Sequence, residues 1–584
     1  MKLKNLFYLF VAAAFAFSCK GKQQTNEDPD KAFADFETRF LDAYWKQHPS
    51  AAILIGYGKY YDELVIPDSA SVASNITFSK RWIDSLDKMD IAKLNDNNKI
   101  SVNIIKNQLE SDVWYQSIFK QQEWDASVYN ISAECDYIIN QPYAPLDEKL
   151  KILTSHLQHA DAYYKAGLNM LHEPTKEHVE MAIKQNEGGL SVFGTALTDS
   201  INASHLTGAE ELSLQENITK TTKAISDYIN SLKTILADKN YVFRSFRIGK
   251  DLYAQKFKYD LATDFTPEQI YEKASADKSM YHQKMISIAG SLWQKYYNDQ
   301  PKPGDSIQMV QMVMDKIQLQ HASPASFFDS LTNQVYRLKH FIIEKNLFDL
   351  DTNATPIKVR LMPEYARGFA VANAEFTPPY QQQGTTYFNI DDLTQYTPEK
   401  AEGTLREYNN YSSQILSIHE AVPGHCVQGI YNKKKPADVV HSVFQNGAMI
   451  EGWAVYTEDM MIENGWGNHQ PEMELTLYKW KLRELANVLV DYDLQCLNVS
   501  KDSITTLLAK DCFQTAAQAE EKYHRATVSQ VQLCSYYTGA TAIHALRDDY
   551  KNKMGINYNL KDFHEKFLSF GSSPVKYIRE RMLQ

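Results

Sequence analysis

Two histidines and a glutamate stand close together in the segment Ile418–Gln428, which reads IHEAVPGHCVQ. His419 is followed directly by Glu420, and His425 comes six residues after His419. Neutral imidazole is a common ligand for zinc, and a carboxylate beside a metal can act as general base toward water. These residue types therefore suggest a metal-dependent hydrolytic site.

The spacing of the two histidines sets a geometric condition on such a site. The usual zinc-peptidase motif H-E-x-x-H places its histidines four apart on one face of a helix. Six residues of a straight helix turn through about 600°, so His425 would point roughly 120° away from His419 and lie about 9 Å further along. Pro423 removes a backbone donor and Gly424 tolerates unusual dihedrals, so we predict a bend that returns His425 toward His419.

A third ligand is expected in the segment Ala448–Asp459, which reads AMIEGWAVYTED. Glu451 shares a helical face with small apolar residues, and its burial there is costly unless a cation compensates the charge. Glu458 lies two turns further on the same face, from where it can hydrogen-bond a ligating histidine. Two histidines and Glu451 would leave one position open for water, as in catalytic zinc sites, and Glu420 is then the natural general base.

Each of these residues alone has a common structural explanation. A histidine on an apolar stripe is usually a core residue, and a lone glutamate is usually exposed or ion-paired. The metal prediction depends on their conjunction. Two histidines surround Pro423-Gly424 on one apolar stripe, and Glu451 lies on a second stripe 26 residues beyond His425.

The elements that must position these side chains are mainly helical. Apolar residues at intervals of three and four from Leu405 to Val422 predict one amphipathic helix with His419 on its inward face. Similar periodicity runs from residue 32 to about 346 and again from 403 to the end. Three short β-branched or aromatic segments predict strands: Ile357–Leu361, Gly368–Ala374 and Thr385–Ile390. We therefore predict a mainly α fold, with a large multi-helix body, a small β-sheet before the metal-binding helix and a substrate groove.

Length and composition exclude several classes of protein. The 584 residues are 44% hydrophobic and 23% charged, which excludes a disordered, collagen-like or multi-span membrane protein. The formal net charge is −11 and there is no basic run, so no nucleic-acid partner is expected. Without an internal repeat or long linker, residues 32–584 are predicted to form one large catalytic domain. Its N-terminal helical part covers about 32–346, and its metal-site part covers about 347–584.

The first residues predict export. Lys2 and Lys4 precede an apolar run, Leu6–Phe17, that is too short to span a bilayer comfortably. Ala16-Phe17-Ser18-Cys19 resembles the lipobox of bacterial lipoproteins, which predicts a signal peptide over 1–18 and a lipidated Cys19. A plain secretory signal with an incidental Cys is the alternative. Residues 19–31 would form a tether that anchors the protein to a membrane of the bacterial cell envelope, periplasmic or at the outer surface.

Five cysteines remain beyond Cys19, and they suggest neither a disulfide framework nor a Cys-based zinc site. Their odd number leaves at least one thiol unpaired in a monomer. One bridge among Cys496, Cys512 and Cys534 is compatible with an oxidising periplasm.

The motif H-E-x-x-P-G-H-x-x-Q over His419 to Gln428, followed by Glu451-Gly452-Trp453-Ala454, resembles family 885 of the domains of unknown function. The resemblance spans most of the mature chain and is firmest from about Val359 to the end. Members of this family are mainly bacterial, many are exported lipoproteins, and they are similar to helical zinc peptidases of the zincin type. The resemblance implies a zincin-like helical body and supports one Zn²⁺ per chain at His419, His425 and Glu451.

Two further segments carry roles that only the resemblance implies. Gln532-x-x-Ser535-Tyr536-x-x-Gly539 is similar to the family's Q-x-x-S-Y-x-x-G stretch, where a tyrosine would donate to the oxyanion of a tetrahedral intermediate. Tyr536 is given this role, with Tyr537 or a merely packed aromatic as alternatives. Tyr387-Phe388-Asn389 resembles the family's strand before the metal helix, and as an edge strand it would bind an extended peptide through Tyr387 and Asn389.

The chain also departs from the family pattern at two positions. Gln530 stands where the family usually has Pro, and Gln495 stands where it commonly has a His. If that His assists the oxyanion, this chain lacks a helper or uses Tyr536 instead. Neither departure touches the predicted ligands.

Together these observations predict an exported, lipid-anchored zinc metallopeptidase that cleaves short peptides. Glu420 would activate water and Tyr536 would stabilise the developing charge. A zinc hydrolase that acts on another amide or ester is the first alternative. The second is a non-catalytic lipoprotein that binds glycans or nutrients, with some of its 36 tyrosines as platforms. The acidic balance of the chain weakly disfavours strongly acidic substrates.

Overall fold

The structure, a computed structural model, describes residues 28–350, 357–363, 367, 370–381, 385–434 and 438–584, without the side chains of residues 433 and 434. The predicted signal peptide, the predicted lipidation site Cys19 and most of the predicted tether lie outside the described residues. Over the described residues the chain is mainly helical with one small sheet, which confirms the predicted fold class. None of the described helices is long and apolar enough to cross a bilayer.

The described chain before the sheet is almost entirely helical. The first four helices pack with elements from the end of the chain: α1 (Pro29–Gln47), α2 (Pro49–Leu54), α3 (Ser69–Leu86) and α4 (Asp96–Trp114). The next six surround a core of their own: α5 (Ser132–Asn140), α6 (Leu146–His156), α7 (Ala160–Met170), α8 (Lys176–Gly189), α9 (Thr195–Asn202) and α10 (Gly208–Ala237). Four more lead to the sheet: α11 (Gly249–Leu261), α12 (Pro267–Tyr297), α13 (Ser306–Ile317) and α14 (Phe327–Glu344).

The sheet has three short strands, β1 (Ile357–Leu361), β2 (Ala372–Glu375) and β3 (Thr386–Ile390). Their order is β1-β3-β2, with β3 parallel to β1 and antiparallel to β2. The observed β1 has the predicted bounds, and β3 begins one residue later than predicted. β2 begins at Ala372, four residues after the predicted start, and ends one residue later than predicted. Because β3 is central, β2 is one of the two edges.

Helices return after the sheet and continue to the end of the chain. They are α15 (Pro398–Glu407), α16 (Ser412–Glu420), α17 (His425–Lys434), α18 (Val439–Val443), α19 (Gly447–Glu463), α20 (Pro471–Cys496), α21 (Lys501–Thr506), α22 (Ala516–Val528), α23 (Ser535–Met554), α24 (Leu560–Leu568) and α25 (Val575–Met582). The single helix predicted from Leu405 to Val422 is wrong, since the chain breaks between α15 and α16. The Asn409 side-chain oxygen accepts the backbone N–H groups of Tyr411 and Ser412 at 3.0 and 3.3 Å, and such a cap starts a new helix.

Two of the hydrophobic cores meet beside the histidine motif. One core contains α1, α14, the sheet, α16, α17, α19 and the last three helices. The other contains α11 to α13 together with α20 to α22. α16 contacts α19, which contributes to the first core, and α20, which contributes to the second.

The five cysteines of the described chain are free thiols: Cys135, Cys426, Cys496, Cys512 and Cys534. The bridge considered among the last three is not formed in the structure. Burial raises the pKa of Cys496 and of Cys512 to about 12, so these thiols are protonated and unreactive at neutral pH.

Candidate metal centre

The chain turns sharply between the two histidines. α16 ends at Glu420 and α17 begins at His425, and the peptide bond before Pro423 is cis. The Gly424 N–H donates to a carbonyl of α16 at 2.9 Å. A Cβ atom on Gly424 would lie 1.8 Å from the His419 carbonyl oxygen, so no larger residue fits this turn. The turn brings the two imidazole rings to a centroid distance of 4.9 Å at an interplanar angle of 89°.

Three possible ligand atoms converge beside this turn. Oε2 of Glu451 lies 3.7 Å from Nε2 of His419 and 3.5 Å from Nε2 of His425. A carboxylate oxygen of Glu420 and one ring nitrogen from each histidine also lie within 4.8 Å of one another. The Glu451 distances are too long for good hydrogen bonds but close to the roughly 3.3 Å between two ligands of a tetrahedral zinc ion. Two imidazoles and a carboxylate in this arrangement fit a zinc ion.

The second ring nitrogen of each histidine is held by a side chain. Nδ1 of His419 donates to Oε1 of Glu458 at 2.7 Å, and Nδ1 of His425 donates to Oε1 of Gln428 at 3.1 Å. Because each Nδ1 is held in this way, Nε2 is the nitrogen of each ring that faces Glu451 and that would bind a metal ion. The two-turn spacing from Glu451 predicts the Glu458 contact. Sequence reasoning gave Gln428 no role, although its position three residues after His425 places both on one helical face.

A buried lysine that sequence reasoning missed holds Glu458 in place. Nζ of Lys481 lies 2.8 Å from Glu458, 3.2 Å from Asp459 and 3.3 Å from Glu484. Burial raises the pKa of Glu458, but Lys481 and the hydrogen-bonded His419 outweigh burial and hold it below its usual value. Burial and the neighbouring Glu458 charge raise the pKa of Glu484 well above its usual range. Lys481 therefore fixes the carboxylate that orients His419.

The electrostatics of the centre favour positive charge. Burial raises the pKa of Glu451, but its contacts with His419 and His425 outweigh burial and hold it well below the usual range. Burial lowers the pKa of both histidines, yet contacts with Glu451, and with Glu458 for His419, raise their pKa values above normal. A divalent cation would supply the positive charge that these carboxylates stabilise.

Glu420 faces an open cavity beside the edge strand β2. The backbone N–H of Ala374 in β2 donates to Oε2 of Glu420 at 3.2 Å. The cavity has a volume of about 700 Å³ and is lined by β2, by the histidine motif and by α20, α22 and Tyr536. This volume lies within the usual range for small-molecule sites. A short substrate can therefore reach Glu420 and the three ligand atoms together.

Tyr536 and Tyr537 point in different directions. Tyr536 lines the cavity, with its ring centroid 6.5 Å from that of His419. Burial and the charge of Glu451 raise the pKa of Tyr536, so its phenol keeps its proton. Tyr537 is buried, and its hydroxyl donates to Asp277 at 2.6 Å. Of the two, Tyr536 is the one placed to reach a substrate.

The strand that carries Tyr387 and Asn389 is not an edge. β3 is hydrogen-bonded on both sides, to β1 and to β2. Asn389 is buried and accepts from Arg360 at 2.7 Å, and the Arg360 guanidinium lies 3.7 Å from the Tyr387 ring centroid. Neither residue is among the described residues that line the cavity. The edge-strand prediction is therefore wrong, and β2 is the edge at the cavity. Substrate binding by Tyr387 and Asn389 stays a prediction, and the position of β3 does not support it.

Gln495, one of the two departures noted in the sequence, lies in the protein interior. Its Oε1 accepts from the Ile248 N–H at 3.2 Å, and its Nε2 donates to the Ala526 carbonyl at 3.0 Å. It does not belong to the described lining of the cavity. The replacement therefore leaves the candidate centre unchanged.

Comparison with known proteins places the chain among bacterial sequences of unknown function. The family model described as "Bacterial protein of unknown function (DUF885)" matches residues 49–582. A solved structure of a predicted lipoprotein of unknown function from Shewanella oneidensis is 39% identical in sequence, with a TM-score of 0.88. The match covers 94% of this chain and 100% of that one.

A second solved structure, of a predicted lipoprotein from Colwellia psychrerythraea, shares 14% identity with a TM-score of 0.76. This match covers 95% of the present chain and 99% of the other, and at this identity it shows a shared fold alone. No curated protein matches the sequence.

Proposed function

We propose that this chain, which belongs to the DUF885 family of bacterial proteins of unknown function, is a zinc-dependent metallopeptidase that cleaves short peptides. The observation that carries the proposal is the convergence of His419, His425 and Glu451 beside a cavity that Glu420 also faces. These three residues would hold one zinc ion and leave a position open. Zinc supplies Lewis acidity, which lowers the pKa of water and polarises a carbonyl oxygen.

Glu420 is the general base in this proposal. The Ala374 N–H holds one of its oxygens at the cavity, where an attacking water and a peptide carbonyl would meet. The carboxylate takes a proton from the water and passes it to the leaving amine.

Substrate alignment and charge stabilisation would come from two further elements that line the cavity. The outer side of β2 offers the backbone groups of an edge strand, with which an extended peptide can pair. Tyr536 donates its phenolic hydrogen to the oxygen of the tetrahedral intermediate. The three functions therefore come from three elements: α16 with Glu420, β2 with its backbone, and α23 with Tyr536.

We also infer that the mature chain is attached to a membrane of the cell envelope through lipid on Cys19. The lipobox-like Ala16-Phe17-Ser18-Cys19 supports this inference, as does the similarity to the predicted lipoprotein from Shewanella oneidensis. The tether that follows Cys19 is polar and would leave the cavity accessible to peptides in the surrounding compartment.

Zinc content and hydrolysis of a mixed peptide library, measured on one preparation, test the proposed activity. We expect about one zinc ion per chain and peptide cleavage that stops when a chelator removes the metal. Glu420→Gln should retain zinc but lose about 100- to 10,000-fold in kcat, the range for loss of a general base. Glu216→Gln makes the same chemical change on an exposed face of α10 and should alter neither quantity.

Two results would contradict this proposal. A chain without tightly bound metal, or a fully active Glu420→Gln variant, would remove the centre or its base from the reaction. A zinc-loaded chain that ignores peptides but hydrolyses esters or acylated amino acids would assign the centre to a different substrate class.

A further inference from the structure

The cavity wall formed by α22 carries an unusual set of polar side chains. Gln518, Glu521, Lys522 and Arg525 all line the cavity, at intervals that place them on one face of α22. The Thr515 hydroxyl and the Gln518 side chain form a capping box that fixes the start of this helix. The wall is therefore a preformed surface beside the candidate metal centre.

Two cations on this wall lack a counter-ion within the described structure. Nζ of Lys522 donates to the Arg483 carbonyl at 2.9 Å, and Nη2 of Arg525 donates to Gln532 at 2.8 Å. No described carboxylate lies within 4.0 Å of either charged group. By contrast, the Arg483 side chain of the same cavity pairs with Glu407 at 3.4 Å.

The surroundings of Lys522 destabilise its charged form, and no counter-ion of the described structure offsets this effect. Burial and the nearby Arg483 charge lower the pKa of Lys522 to about 7. Burial removes water from the ammonium group and so destabilises its charged form. An anion bound beside the group would stabilise that charge again. Glu521 on the same face is exposed and does not supply that interaction at ion-pair distance.

Tyr536 connects this wall to the candidate centre. Its ring lies 6.5 Å from that of His419, and the nearby Arg525 charge lowers the pKa of Tyr536 against the larger effect of burial. An anionic group held by Arg525 and Lys522 would therefore lie just beyond Tyr536, close to the bond that the proposed reaction breaks.

We propose that Lys522 and Arg525 form a binding site for a carboxylate of the substrate, and this inference rests on the proposed peptidase function. The substrate class is a short peptide with a carboxylate near the scissile bond. That group is either the free C-terminus or an acidic side chain, since both present the same two acceptor oxygens. The chain as a whole is negatively charged, but the α22 wall of the cavity carries Lys522 and Arg525. We therefore expect the cavity to favour a substrate carboxylate despite the net charge of the chain.

Three acetylated tripeptides of otherwise equal sequence distinguish these sources. The first has a free C-terminal carboxylate, the second has a C-terminal amide, and the third has the amide together with one aspartate side chain. Binding to the zinc-loaded Glu420→Gln protein is measured by calorimetry, which needs no turnover. Hydrolysis by the wild-type protein is measured in parallel.

We expect the free-carboxylate peptide or the aspartate peptide to bind about 10- to 100-fold more tightly than the neutral amide, as for a charge-assisted hydrogen bond. Lys522→Met should abolish this preference and leave binding of the amide peptide unchanged. Arg525→Gln, at an exposed position, should reduce the preference without affecting folding. Lys165→Met, on an exposed face of α7, is the matched control and should retain the preference.

The outcomes separate this inference from the proposed function. Equal binding of all three peptides, absence of any binding, or an unchanged preference in folded Lys522→Met would overturn the carboxylate site. Carboxylate-dependent binding without hydrolysis by the wild-type protein would support the site and contradict the peptidase.

Discussion

Tyr536 and Tyr537 are adjacent on α23, yet one faces the cavity and the other is buried against α12. A phenol can donate to a substrate oxygen only where no protein acceptor already occupies it. The Tyr537 hydroxyl is occupied by Asp277, whereas Tyr536 stands beside His419. At the scale of single residues, the structure therefore favours Tyr536 over Tyr537 as the donor in the proposed mechanism.

We predict that Tyr536→Phe lowers kcat by about 100- to 1,000-fold, the loss expected for one donor to an oxyanion. Its zinc content and melting temperature should stay at wild-type values. Tyr537→Phe removes the donor to Asp277, so it should lower the free energy of unfolding by about 1 kcal/mol and leave kcat unchanged. Steady-state kinetics and thermal denaturation of both variants check this. Similar kcat for Tyr536→Phe and wild type would remove the phenol from the mechanism.

At the scale of elements, the position of the candidate centre depends on a close contact between α19 and α23. A Cβ atom on Gly452 would lie 2.3 Å from the carbonyl carbon of Gly539, and one on Gly539 would lie 1.7 Å from the Ala448 carbonyl oxygen. The two helix backbones therefore touch where both residues lack a side chain. Glu451 directly precedes Gly452, and Tyr536 lies one turn before Gly539. The packing of the two glycines therefore fixes the distance between Glu451 and Tyr536.

Gly452→Ala should push α19 away from α23, because its new methyl group meets backbone rather than a flexible side chain. We expect a loss of about 1–3 kcal/mol in the free energy of unfolding, as for overpacked interiors, together with weaker zinc binding. Gly188→Ala is the control: it lies in α8, and its Cβ atom would meet nothing within 4 Å. That variant should be unchanged or more stable by about 0.5–1 kcal/mol. Unchanged stability and zinc affinity in Gly452→Ala would contradict the proposed role of the contact.

The sequence predicted the strands and most of the helical segments, but not every helix break or the order of the strands. β1 and β3 are bounded by Pro, Gly and other local signals, so their ends were predictable to within one residue. The central place of β3 was not predictable, because strand order depends on contacts distant in sequence. The break before α16 was also missed, since a cap at Asn409 overrides the apolar periodicity that runs through it.

The same limit applies to the candidate site. The motif around Pro423-Gly424 is local, so the turn and the Glu420 position followed from the sequence. Lys481 and Lys522 did not, because charged residues on long helices usually lie on a solvated face. Their spacing on α20 and α22 is a weak signal, and only the packing of these helices shows that both face inward.

At the scale of the whole molecule, the charge of the chain argues against electrostatic attachment to a membrane. The formal net charge is −11, and a surface of this sign is repelled by anionic lipid headgroups. The apolar run Leu6–Phe17 ends just before Cys19 and would be removed with the signal peptide. Membrane attachment of the mature protein would then depend on acyl chains carried by Cys19, each buried CH₂ contributing about 0.8 kcal/mol.

We therefore predict that the wild-type protein sediments with the membrane fraction and is released by detergent but not by high salt, since acyl-chain burial is insensitive to screening. Replacement of residues 1–19 by a secretory signal without a cysteine should release the mature protein into the soluble fraction. Its zinc content and turnover should equal those of the wild type, because the candidate centre begins 400 residues after Cys19. Fractionation, metal analysis and peptide hydrolysis check these points. Retention of the replaced form in the membrane fraction would show that another part of the chain makes the attachment.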